Sequence, residues 1–150
     1  MKLLFSLLFL AVFSGECDQK HSNAVNQEQK IRGIIYEANT RGFYERVWII
    51  KDSVSFSSDR ELKDVLVSTC AAKDWDTLVN LVKGINLKEL PELEAPTKRH
   101  QFDGAAMATL TVELGNESFK TKVFDHGNPP EAISPLVNKV LSMKEMMAKQ

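Results

Sequence analysis

The dipeptide Phe-Asp occurs twice in this chain, as Phe102-Asp103-Gly104 and as Phe124-Asp125-His126-Gly127. One copy enters a stretch of alternating apolar residues, 105–114, and the other closes the returning stretch, 119–124. If the two stretches pair as an antiparallel hairpin, both copies lie near its open end. Asp103, Asp125 and His126 would gather there, with His100 close by, beside the start of a final helix. Two carboxylates and an imidazole can perform acid–base chemistry or hold a metal ion. A helix N-terminus can bind an anion. The same residue types are also what turns and caps require, since Asp and Asn beside Gly and Pro hydrogen-bond their own backbone. The chain has no H-E-x-x-H, C-x-x-C, G-x-S-x-G or phosphate loop. Turn chemistry is therefore the favoured use, and no metal or cofactor is expected. Asp103, Asp125 and His126 stand as the catalytic alternative, in a small hydrolase or metal-dependent enzyme.

A second constellation could bind rather than react. Arg41-Gly42-Phe43 is a turn presenting an aromatic ring between Arg41 and Arg46, a shape suited to a partner's pocket. Arg41, Gly42, Phe43, Tyr44 and Trp48 are the candidate binding residues, with Gly42 free to take positive φ. Tyr36, Tyr44 and Trp48 fall among positions that can face away from the helices, where an uncovered aromatic face would bind a partner. The plainer alternative, favoured here, is that the sheet twists and these rings complete the core.

The elements that must position these residues follow from periodicity. Residues 31–39 and 43–51 are rich in β-branched and aromatic side chains and read as a hairpin. Val54 and Phe56 alternate with serines in a third strand, and residues 65–67 read as a fourth. Trp75, Leu78, Val79, Val82 and Ile85 fall at helical spacing, so residues 72–83 form a helix with one apolar face, stopped near Gly84. In the second hairpin Ala108, Leu110, Val112 and Leu114 share one face, and Phe119, Thr121 and Val123 share a face of the return strand. Asn128-Pro129 with Glu131 resembles a capping box. A short turn and then a helix over residues 136–146 are expected, with Ile133, Leu136, Val137, Val140 and Leu141 as its stripe. The order implies an α+β fold: an antiparallel sheet with two helices packed on one face.

At 150 residues with net charge −1, the chain has the size of one domain and no electrostatic reason to bind nucleic acid. Met1-Lys2 and the apolar run at 3–13 fit a signal peptide, being shorter than the roughly 20 residues a membrane helix needs. The expected organisation is a signal peptide at 1–16, a polar tether at 17–30 and one α+β domain at 31–150. Cys17 sits where a bacterial lipoprotein carries its acylated cysteine, although Glu16 replaces the usual small residue. The other routes are cleavage after Ser14 or Gly15, with Cys17 free to pair with Cys70 in an oxidising compartment. Cys70 also suits a buried free thiol. The expected location is exported: periplasmic, lipid-anchored to a membrane through Cys17, or secreted.

At Arg41-Gly42-Phe43, Gln101-Phe102-Asp103-Gly104 and Phe124-Asp125-His126-Gly127-Asn128-Pro129, the chain resembles a group of small exported bacterial proteins of unknown function. More distantly, its layout is similar to the emfourin family of small metalloprotease inhibitors, which pair a hairpin bearing a Gly-Gly-Phe type turn with a helix, a second hairpin and a closing helix. Gly42-Phe43, residues 109–113, Pro130 and Leu136-Val137 carry that likeness. Arg41 in place of a glycine, Tyr44-Glu45 in place of Ala-Gly, and the extra segment 53–69 depart from it. The resemblance implies a non-catalytic envelope domain that binds a protein or peptide, with restraint of a protease as one form. A purely structural lipoprotein domain is the remaining alternative.

Overall fold

The computed structural model describes residues 30–147. The segment expected to be a signal peptide, most of the expected tether, and Cys17, with the acylation or pairing expected of it, lie outside the described residues.

Strands β1 (Ile31–Asn39), β2 (Tyr44–Ile50), β3 (Ser53–Ser57) and β4 (Leu66–Thr69) are followed by helix α1 (Ala72–Lys83). Then come β5 (Met107–Leu114), β6 (Glu117–Lys120), the short β7 (Phe124–Asp125) and helix α2 (Ser134–Met147). The strands form one antiparallel sheet in the order β4-β3-β2-β1-β5-β6, with β7 also paired to β5. The α+β architecture follows, with both helices packed against the sheet and contributing to a single core.

Alternation dictates that core. The register aligns Val112, Ile34, Ile49 and Val54 in one row and Leu110, Tyr36, Val47 and Phe56 in the next. Trp75, Leu78 and Val82 of α1 and Leu136, Val137, Val140 and Met143 of α2 pack on this face. Fully burying a side chain of this kind contributes about 1.5–3 kcal/mol, so these rows and stripes supply most of the stabilisation. Lys139 Nζ donates to Asp74 Oδ1 at 2.6 Å and ties the two helices together.

A third row runs Phe124, Ala108, Ala38, Glu45. Two alanines at its centre leave room in the core face, and polar groups fill it.

Several local expectations are corrected. Of the three rings expected to complete the core, Tyr36 does so, fully buried on the helix side, whereas Tyr44 and Trp48 lie on the opposite face of the sheet. Gly42 does not take positive φ; among the described glycines only Gly115 and Gly127 do. Gly84 ends α1 with right-handed φ of −79°. The return strand does not keep one alternation. β6 pairs with β5 from Thr111↔Lys120, but β7 pairs at Met107↔Asp125, so one extra residue intervenes. That is a bulge. Thr121 causes it: its N–H donates to the Leu110 carbonyl and its hydroxyl accepts the Leu110 N–H, both at 3.0 Å. Val123 is consequently exposed and Phe124 enters the core.

The capping box at Asn128 and Glu131 does not form. Glu131–Ile133 is a 3-10 turn without a side-chain cap, and Asn128 Nδ2 instead donates to Thr97 Oγ1 at 2.8 Å. Helix α2 starts at Ser134, earlier than expected, because Pro135 falls in the first turn, where a missing N–H loses no helical bond.

Candidate functional site

The bulge decides what the second Phe-Asp pair does. Consecutive strand residues point to opposite sides. Phe124 faces the core, so Asp125 faces the segment 97–100, and His126 returns toward Tyr36.

Asp125 is buried and its carboxylate is fully used. Oδ2 accepts from the Thr97 hydroxyl and from the Arg99 N–H at 3.0 Å. Oδ1 accepts from the His100 N–H at 2.8 Å and the His100 ring at 2.6 Å. Burial alone would push this carboxyl up. The bonds from Thr97, the His100 backbone and ring, and the Arg99 backbone outweigh burial and hold it well below the usual carboxylate range. With Asp125 ionised, the ring contact requires the proton on His100 Nδ1. A carboxylate bound in this way latches a loop. It has no free lone pair aimed at a substrate.

Asp103 does not join it. It ends the 3-10 turn Arg99–Phe102 in the left-handed conformation at φ 55°, its side chain exposed and without a hydrogen bond among the described residues. Asp103, Asp125 and His126 are therefore close in the chain's path but serve three separate surroundings.

His126 belongs to a second cluster. Tyr36 Oη lies 2.8 Å from His126 Nδ1. Burial, with the nearby Glu45 charge, pushes the Tyr36 phenol far up, against a bond from the Gly127 N–H. The phenol therefore keeps its proton, and its oxygen shares a hydrogen bond with Nδ1. Glu45 is buried on the same side. Its Oε2 accepts from Lys144 Nζ of α2 at 2.8 Å, while Oε1 has no hydrogen-bond partner and lies 3.6 Å from His126 Nδ1. The Phe43 ring covers the imidazole, with centroids 5.6 Å apart. A Tyr–His–Glu chain has the parts of a relay, but Tyr36 is sealed from solvent and cannot reach a substrate.

Neither Glu45 nor Lys144 was a sequence candidate. One signal was available: Glu45 shares strand parity with Val47 and Ile49, which places it on the core face.

The predicted binding residues sit at one end of the sheet. Arg41 and Gly42 are exposed in the β1–β2 turn, and Phe43 is 38% exposed. Arg60 braces this turn, donating to the Thr40 and Phe43 carbonyls, with its guanidinium 5.4 Å from the Tyr44 ring centre. Trp48 lies further along the outer face, under the Arg46 guanidinium at 5.6 Å. Sequence reasoning missed Phe102 as a surface group. It is 83% exposed, and the Asp125 bonds to Arg99 and His100 anchor the loop that carries it. Since Asn39 pairs with both Tyr44 and Met107, the Phe43 turn and the Phe102 loop flank the same sheet end.

Among the described residues, no group of three or more His, Cys, Asp or Glu could hold a metal ion. No described helix is long and apolar enough to cross a membrane. Cys70 is buried, and burial with the Asp74 and Asp52 charges raises its thiol above the ordinary value despite Lys139. Such a thiol is a poor nucleophile. No family model matches this chain, and no curated protein does.

Proposed function

We propose that this chain is a non-catalytic, exported cell-envelope domain that binds a protein or peptide partner through the sheet end bearing Phe43 and Phe102. The observation that carries the reading is the pairing of exposed rings with braced backbone. Phe102 and Met107 are exposed and Phe43 partly so, yet Arg60 holds one loop and Asp125 the other. Exposed aromatic groups on a loop held in place lose little entropy on binding and make effective anchors. Arg41, exposed beside them, would favour an acidic patch on the partner. Restraint of a protease is the form of binding that the emfourin-like layout suggests. The residues ahead of Lys30 would tether the domain, through lipid on Cys17 where that is attached.

The test is co-purification from native envelope with full-length protein and a Phe43→Ser/Phe102→Ser variant. A partner retained by the parent and lost by the folded variant supports the reading. Equal retention by both, or no specific retention by either, overturns it. Intact-mass measurement of protein from native membranes checks export and acylation separately.

A further inference from the structure

At the opposite end of the sheet, along α1, lies an open groove of about 640 Å³. Its base is apolar, made by Ile31, Trp75 and Val82, and Val79, Ile85 and Leu87 form its walls. Lys30, Lys51 and Lys83 stand around it, with Asp76 as the single acid. None of these three lysines forms an ion pair among the described residues, whereas Lys139 and Lys144 elsewhere are both committed to buried or half-buried carboxylates. The groove therefore combines apolar walls with an excess of two positive charges at its margin.

We infer that this groove binds a free long-chain fatty acid, its hydrocarbon chain along α1 and its carboxylate among Lys30, Lys51 and Lys83. The volume falls within the range of small-molecule sites, roughly 300–1,000 Å³. Charge complementarity selects the head group: a monocarboxylate offsets part of the lysine excess, while a neutral amphiphile offsets none. The apolar lining selects the tail, because a small polar anion would leave the half-buried Val79, Ile85 and Leu87 in contact with water. The site is separate from the Phe43–Phe102 end, so its occupancy does not depend on the partner proposed there.

Trp75 lines the groove and supplies the signal. Full-length Trp48→Phe protein, with Trp75 as its remaining tryptophan, is titrated with hexadecanoic acid below its aggregation concentration, and in parallel with octanoic acid and 1-hexadecanol. The expected result is a saturable one-to-one change in Trp75 emission with hexadecanoic acid at micromolar concentration, and binding at least tenfold weaker for octanoic acid. Lys51→Gln/Lys83→Gln should weaken hexadecanoic acid at least tenfold and leave 1-hexadecanol unchanged. Equal affinity for acid and alcohol, insensitivity to the lysine pair, or a response only to anionic phospholipid vesicles would overturn the inference. Should the emission prove silent, native mass spectrometry on the same samples reports the bound acid directly, and its absence there is equally decisive.

Discussion

Two buried carboxylates lie within a few residues' reach of the same histidine loop, and they are treated differently. Asp125 takes four hydrogen bonds, all from the segment 97–100. Glu45 takes one, from Lys144, and leaves its other oxygen without a donor. Asp125 is satisfied by local backbone and so depends on loop shape. Glu45 is satisfied by a single cation from the far end of α2 and so depends on tertiary packing. A saturated group stabilises a conformation, whereas a half-satisfied one makes the region around it sensitive to any neighbouring charge.

The comparison can be broken most severely at Lys144. Lys144→Met should destabilise by about 3 kcal/mol, because it strands a buried charge. Adding Glu45→Gln should recover much of that loss, read from urea midpoints of both variants and the double variant. Asp125→Asn comes next, with a fall in Tm on the order of 5–10 °C. This carboxyl is held below its ordinary value in the folded chain. Its contribution is therefore fully present above about pH 4, the value for an unperturbed aspartate, and is lost as pH falls below that. Wild-type protein should lose stability on acidification in that window, and the Asn variant should show a shallower acid limb in Tm against pH.

Tyr36→Phe should cost about 1 kcal/mol by removing the hydroxyl that bonds His126 while keeping the ring in the core. The imidazole resonance in NMR should shift, and the His100 resonance should not. Asp103→Asn is the smallest, within about 0.5 kcal/mol, because asparagine also tolerates the left-handed backbone. A large effect there would mean that Asp103 shares work with Asp125 after all.

Much of the architecture was legible. Helix α1 was read to its ends because Trp75, Leu78 and Val82 recur at one helical spacing with no competing period. The β5 face was read because Ala108, Leu110 and Val112 alternate with threonines. Tyr44 and Trp48 were misplaced for a plain reason: residues 47–50 are all apolar, so the parity of β2 was ambiguous until pairing with β1 resolved it. The face of residues 121–124 could not be read from pattern, because the slip depends on the Thr121 hydroxyl standing in for a ladder carbonyl. Of the site, the two Phe-Asp pairs and His100 were visible as turn chemistry. Thr97 and Lys144 were not, since each acts on a residue 28 or 99 positions away.

The surplus residue ahead of Phe124 acts as a frame-setter for everything after it. Losing the slip with every residue kept, so that the β6 register ran on to Asp125, would restore an unbroken two-residue rhythm, set Phe124 opposite Met107 and exchange the destinations of these two side chains. The ring would meet water, and an ionised carboxylate would face the space now lined by Ala108 and Tyr36. The loop carrying Phe102 would lose its anchor in the same stroke. Losing the hydroxyl of one buried threonine, Thr121, would thus threaten both the hydrophobic interior and the presentation of the outer aromatic group.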